Sequence, residues 1–118
     1  MAASQLVGML MNSRTQAHTF HLGTASYAKH KALEAYYEKI VDLLDAYAEA
    51  YMGKYGGRMS NIQLNSRFIK DPTKAPAYFA ALLKRVKKLK LPKDTYLRNI
   101  QDEIVALIRQ TQYMLSLS

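Results

Sequence analysis

The feature of this sequence that most restricts its fold is a long run of apolar residues spaced three and four positions apart. The run consists of Leu33, Tyr37, Ile40, Leu44, Tyr47 and Tyr51. This spacing places all of these side chains on one side of an α-helix, and the pair Gly56-Gly57 that follows is typical of a helix end. A helix from about residue 25 to residue 55 is roughly 45 Å long at 1.5 Å per residue. So long a helix in a chain of 118 residues indicates a helical bundle.

Three further helices are predicted around this one. The first begins with Ser4 as its N-cap and ends near Gly23, and Thr24 or Ser26 caps the long second helix. The third follows Pro76, and the fourth runs from residue 94, where an aspartate caps it, to the C-terminus. In the connection over residues 60–76, a short extra helix is expected from Ile62, Leu64, Phe68 and Ile69. We therefore expect one all-α domain over residues 1–118, a four-helix bundle with one longer crossing connection.

Composition excludes several classes of protein. The chain contains no cysteine, which excludes disulfide scaffolds, thiolate zinc sites and cysteine nucleophiles. The stretch Met1–Asn12 has no basic lead and too short an apolar run for a secretory signal. No run of eighteen apolar residues is present, so no membrane span is expected. A cytoplasmic protein without a membrane partner is the resulting prediction.

Four polar residues of the second helix lie on one stripe beside the apolar run. Taking His30 as zero, Glu34, Asp45 and Glu49 fall at about 40°, 60° and 100° around the helix axis. Each of the pairs 30/34 and 45/49 has the i,i+4 spacing that directs two side chains to one point. The centres of the two pairs are roughly 22 Å apart along the axis, so a single chain cannot place both pairs on one metal ion.

A second copy of the chain removes this difficulty. If the second helices of two chains cross antiparallel near residue 39 or 40, His30 and Glu34 of one chain face Asp45 and Glu49 of the other. A two-fold dimer then has two equivalent sites, and His18 of the first helix can add an imidazole. Mixed imidazole and carboxylate ligands suit iron, manganese or zinc. The alternative is that the stripe consists of ordinary solvated charges.

These residues resemble the ferroxidase signature of the Dps mini-ferritins, within the ferritin-like superfamily. The matching positions are His18, Gly23, His30, Glu34, Asp45 and Glu49, with steps of 12, 4, 11 and 4 between the ligand positions. The resemblance covers about residues 15–57. Thr19 stands where the family usually has tryptophan, and Glu34 where aspartate is commoner.

The resemblance implies a ferritin-like four-helix bundle with a metal site between subunits. His18, His30 and Glu34 would come from one chain, and Asp45 and Glu49 from its dimer mate. The cofactor would be iron, as a di-iron or mononuclear centre, and the activity that of a ferroxidase, which oxidises ferrous iron with peroxide or oxygen. The implied assembly is a homo-oligomer, at least a dimer, and the family's own assembly is a twelve-subunit shell. A divergent member of the kind that phage genomes carry would lie in the host cytoplasm or in the virion.

Positive charge is concentrated in the second half of the chain. Residues 1–59 hold six Lys/Arg and five Asp/Glu, whereas residues 60–118 hold eleven and four. The densest basic stretch consists of Lys84, Arg85, Lys87, Lys88, Lys90 and Lys93. It predicts nonspecific binding of DNA phosphates; the alternative is a set of cations that stabilise a helix C-terminus. A non-enzymatic helical oligomer, or a DNA-binding phage structural protein, is accordingly the second functional hypothesis.

Overall fold

In the computed structural model, which describes residues 2–117, the chain forms four α-helices. They are α1 (Ala2–Gly23), α2 (Tyr27–Tyr55), α3 (Ala75–Lys88) and α4 (Thr95–Leu115). The 29 residues of α2 span about 43 Å, which matches the longest dimension of the molecule, 44 Å. The predicted all-α four-helix bundle is confirmed.

The order of the helices follows from their contacts. α1 packs against α2 and α3, and α4 packs against α2 and α3. Residues 24–26 connect α1 to an antiparallel α2, and residues 56–71, which we call the crossover, run back along α1 before α3 begins. α2 and α3 therefore run in the same direction, joined by one long crossover.

The two ends of the bundle differ in what they contain. The hairpin end holds the 24–26 turn, the start of α3 and the C-terminus of α4. The opposite end, which we call the glycine end, holds Gly56 and Gly57, both with φ of 79°, together with the 89–94 turn between α3 and α4. The Tyr55 hydroxyl donates a hydrogen bond to the Asp94 carboxylate at the glycine end. This contact ties the end of α2 to the start of α4.

Within the crossover, the short helix expected over residues 62–69 is absent, and a single 3-10 turn forms later, at Pro72–Lys74. The crossover approaches α1 at Gly8, next to Gln63, and Pro72, the residue directly after the crossover, approaches α1 at Gly23. These points on α1 are about 22 Å apart, and only nine residue steps separate Gln63 from Pro72. Nine helical residues would rise about 14 Å, so the chain has to be more extended than a helix.

Two contacts hold the crossover on α1. The buried Gln16 amide donates to the Ile69 carbonyl at 2.9 Å, and its oxygen accepts from the Ile69 N–H at 2.8 Å. A Cβ atom added at Gly8 would lie 2.7 Å from the Gln63 carbonyl oxygen. The Gln16 amide supplies hydrogen-bond partners to backbone groups of a segment that has no regular secondary structure. Gly8, which has no Cβ atom, lets the backbone of that segment approach α1 closely.

The helix ends agree in part with the sequence prediction. The Ser26 side chain accepts from the Lys29 N–H and caps α2 as expected. Asp94 occupies the N-cap position of α4, but its side chain makes no cap hydrogen bond and accepts from a tyrosine instead. Ser4 lies inside α1 rather than at its start.

The core confirms the apolar run of α2 with one shift of position. Leu33, Ile40 and Leu44 are buried as predicted. Tyr37, which was expected in the core, is only half-buried, and its neighbour Tyr36 is fully buried instead. The Ser13 hydroxyl donates to the Leu10 carbonyl at 2.7 Å, so the Tyr36 hydroxyl is the donor in the 2.6 Å bond between the two side chains. Burial raises the pKa of Tyr36. This neutral donor links α1 to α2 inside the core.

Across residues 2–117, no helix combines the length and the apolar character that crossing a membrane requires.

We predict opposite effects for two glycine-to-alanine substitutions. Gly8→Ala places a methyl group against crossover backbone and should destabilise the protein by about 1–3 kcal/mol, even though alanine favours helix. Gly53→Ala is the matched control, because nothing lies within 4 Å of its added Cβ, and it should stabilise by about 0.5–1 kcal/mol. Urea unfolding followed by circular dichroism measures both. A Gly8→Ala protein as stable as Gly53→Ala would contradict the close approach of the crossover.

Candidate metal centre

Two histidines join α1 to α2 at the hairpin end. The His21 ring Nδ1 is 2.8 Å from the His30 carbonyl oxygen, and the His30 ring Nδ1 is 2.9 Å from the His21 carbonyl oxygen. The two rings are stacked, with centroids 3.6 Å apart and planes inclined by 23°. We call this reciprocal pair the histidine clasp.

The hydrogen bonds of the clasp determine where the ring protons lie. A carbonyl oxygen only accepts, so Nδ1 of His21 and Nδ1 of His30 must both carry a hydrogen and donate it. In a neutral imidazole the other nitrogen, Nε2, then has a free lone pair. An Nδ1–H donated to a backbone carbonyl is the usual support of a metal-binding histidine, because it orients the ring and makes Nε2 more basic.

Local sequence explains why the clasp forms. The carbonyl groups in the last turn of α1 have no hydrogen-bond partner inside the helix. The Phe20 carbonyl accepts a hydrogen bond from the Thr24 N–H instead. The next carbonyl, that of His21, receives the His30 side chain. Since Ser26 starts α2 only three residues after α1 ends, His30 lies in the first turn of α2, beside that carbonyl.

Glu34 adds a carboxylate to the clasp. It lies one turn after His30 on α2 and is half-buried. One ligand atom from each of His21, His30 and Glu34 can be chosen so that all three lie within 4.8 Å of one another. The Lys31 ammonium is 3.7 Å from the Glu34 carboxylate. Among residues 2–117 this is the one ion pair, and it is largely exposed, so it contributes little to stability.

Two imidazoles and one carboxylate form a recognised ligand set. The same set binds ferrous iron in non-haem enzymes and zinc in metalloproteases, and in both it leaves coordination positions open. Zinc–nitrogen bonds of 2.0–2.1 Å place tetrahedral ligands about 3.3 Å apart. The three ligand atoms must therefore approach each other to hold an ion. The His21 and His30 rings are stacked and an imidazole lone pair lies in the plane of its ring, so one of the two rings must turn before both can bind the same ion.

The other predicted ligands lie outside this group. His18 is half-buried and stacks on Tyr37, with ring centroids 4.4 Å apart, and its ring is 5.9 Å from that of His21. Asp45 and Glu49 are exposed on α2. Asp45, the nearer of the two, lies about 16 Å from Glu34 along the helix axis. Within one chain, the structure gathers His30 and Glu34 of the predicted set and leaves the other three apart from them.

His21 is the residue that the sequence analysis did not select. It lies three positions after His18, on the same side of α1, and only its position in the last turn distinguishes the two. A histidine in the last turn is well placed to meet the next helix across a short connection. That signal and the short connection were both available from the sequence, but the rotation of α1 against α2 was not.

The basic stretch lies far from this cluster. Its six side chains are all exposed, on the second half of α3 and on the 89–94 turn. None of them forms an ion pair with another described residue. The stretch therefore places unneutralised positive charge toward the glycine end, while the histidine clasp lies at the hairpin end.

Comparison with known proteins places this chain in a family. Residues 21–115 match the model described as "Family of unknown function (DUF5856)". The chain belongs to this family. It is also 30% identical, over 121 residues, to a protein of Enterobacteria phage T4 described as an uncharacterized 14.6 kDa protein in the mobD-ri intergenic region. That similarity covers 98% of this chain and 88% of the phage protein. No solved structure matches the chain significantly.

Two substitutions of His30 should separate its hydrogen bond from its ring. In His30→Asn the amide nitrogen replaces Nδ1 and can still donate to the His21 carbonyl, whereas His30→Leu leaves that carbonyl without the donor. We expect the leucine variant to be less stable than the asparagine variant by about 1 kcal/mol, measured by thermal unfolding without metal. Equal stability of the two variants would show that the carbonyl contact does not support the hairpin.

Proposed function

We propose that this protein binds a divalent transition metal, with ferrous iron as the first candidate, through His21, His30 and Glu34. The observation that carries the proposal is the histidine clasp. Both Nδ1 atoms donate to backbone carbonyls, so each neutral ring keeps the lone pair of its Nε2 for a metal.

The ligand set restricts the metal and its chemistry. Imidazole and carboxylate together favour iron, manganese or zinc over calcium or magnesium. Three protein ligands leave room for a small molecule such as peroxide or oxygen. Ferrous iron held there would be the substrate of a ferroxidase reaction, as in the Dps mini-ferritins that the sequence resembles. The single long crossover supports this proposal, because ferritin-like bundles share it.

We extend the proposal to a homodimer that completes the site. Asp45 and Glu49 are exposed and form no ion pair with another described residue, so both are available to a second copy. An antiparallel crossing of two α2 helices near residue 39 would bring them to His30 and Glu34 of the other chain. A larger shell would need further contacts. The similarity to a phage T4 protein supports a location in the host cytoplasm or in the virion.

Metal binding should depend on the ring of His30 rather than on its hydrogen bond. We expect His30→Asn, which keeps the donor but lacks Nε2, to bind Zn²⁺ and anaerobic Fe²⁺ at least tenfold more weakly than wild type. Glu34→Gln should show a similar loss. Isothermal titration calorimetry gives the affinity, and at a hundredfold excess of metal over Kd the wild type should gain about 2.7 kcal/mol in stability.

His18→Asn is the matched control for this experiment. His18 lies outside the three-residue group, so this variant should bind metal as the wild type does. If His18→Asn loses binding and His30→Asn retains it, the ligand set proposed from the structure is wrong. If both retain it, the clasp has a structural role alone.

Subunit exchange tests the composite site separately. If Asp45 and Glu49 act across a dimer, His30→Asn and Asp45→Ala homodimers should each lack ferrous oxidation, and mixing them should restore roughly a quarter of wild-type activity. Half of the randomly mixed dimers are hybrids, and each hybrid has one intact site. Full activity of Asp45→Ala alone would remove the composite site and leave the site within one chain intact.

A further inference from the structure

A groove with polar and apolar lining lies between the crossover and α3, above α1. It consists of two adjoining cavities of about 470 Å³ and 60 Å³, both of which are lined by Asn12, Asn65 and Arg85. Because they share these residues, the two cavities adjoin. We call the two together the crossover groove.

The charged residues that line the crossover groove are all positive. Arg67 comes from the crossover, and Arg85 and Lys88 come from α3. The other polar side chains of the lining are mainly amides of asparagine and glutamine, and no carboxylate contributes. The one ion pair among residues 2–117 lies elsewhere, on α2. The three cations therefore face the groove without a neutralising partner in the described chain.

This arrangement favours an anion. Like charges around a concave surface repel one another and focus a positive potential into it. A guanidinium group presents paired N–H donors that match two oxygens of a phosphate, and amide N–H groups can donate to the remaining oxygens. Two arginines from different segments, with amides between them, can therefore hold a phosphate group from two sides.

The positive surface continues past the groove, which indicates the size of the ligand. Lys84 and Lys87 are exposed on α3, and Lys90 and Lys93 are exposed on the turn that follows. A single phosphate would occupy the groove and leave these lysines unused. A chain of phosphates would meet them in succession, and a polyanion gains affinity from each contact through the release of counterions.

We propose that the crossover groove and the adjoining basic stretch bind the phosphodiester backbone of nucleic acid. Arg67 and Arg85 hold the backbone at the groove, and the lysines of α3 and the 89–94 turn contact neighbouring phosphates. Phosphate contacts carry no sequence information, so binding through them does not depend on base sequence. The surface lies away from the histidine clasp, and the proposal is independent of metal binding.

The experiment compares two double variants with the same change of charge. Arg67→Gln/Arg85→Gln removes the two groove guanidinium groups, and Arg98→Gln/Arg109→Gln removes two exposed guanidinium groups of α4 that do not line the groove. Fluorescence anisotropy measures binding to a labelled 30-nucleotide single strand and to its duplex between 50 and 200 mM KCl. Thermal unfolding of each variant shows that the fold is kept.

We expect wild type to bind at least one probe, with log K falling linearly as log salt rises. The groove variant should lower the magnitude of that slope by about 1–2 and weaken binding roughly tenfold at 50 mM salt, while the control pair should change the slope much less. Equal losses in the two pairs would show an effect of net charge alone and overturn the groove. If neither the single strand nor the duplex binds, the proposal that this surface binds nucleic acid is wrong. Binding of sodium tripolyphosphate alone would then show that the groove takes a small polyphosphate instead.

Discussion

The requirement that the crossover span the bundle determines much of this structure. Because α2 and α3 run in the same direction, sixteen residues must carry the chain from the glycine end back to the hairpin end. An irregular segment of this length has backbone groups that need partners, and the Gln16 amide supplies two of them at Ile69. Gly8 permits the close approach that brings the segment onto α1. The position of the crossover then sets one wall of the groove that faces α3.

The histidine clasp shows how one set of polar atoms can serve structure and chemistry together. The end of α1 leaves carbonyl groups without helical partners, and the His30 ring satisfies one of them. The same bond keeps the proton on Nδ1 and frees Nε2. If the proposed metal binding holds, a variant that removes the ring should lower both stability and metal affinity, whereas a replacement that keeps the donor should lower metal affinity alone.

The two proposed sites divide the molecule by charge as well as by position. The hairpin end combines two imidazoles with a carboxylate, whereas α3 and the 89–94 turn carry cations without acidic partners among the described residues. A cationic ligand and an anionic ligand therefore approach different surfaces of the same bundle. A phage T4 protein similar along nearly the whole chain provides a second sequence in which both surfaces can be examined.

Much of the fold followed from sequence because its signals are local. The spacing from Leu33 to Tyr51 and the glycines after Tyr55 predict α2 almost to its ends, and the uneven charge predicts a basic surface on α3. Each depends only on helical periodicity or on composition, which tertiary contacts did not override. Of the candidate metal ligands, His30 and Glu34 were found for the same reason, since they are one helical turn apart.

Tertiary structure alone decided which partners these residues meet. The choice between His18 and His21 depends on the rotation of α1 against α2, which no periodic pattern encodes. The apolar residues of the crossover suggested a helix, but the distance between its contacts with α1 required a more extended chain. The groove joins Arg67 to Arg85 across eighteen positions of sequence, and only the packing of the crossover beside α3 brings them to one surface.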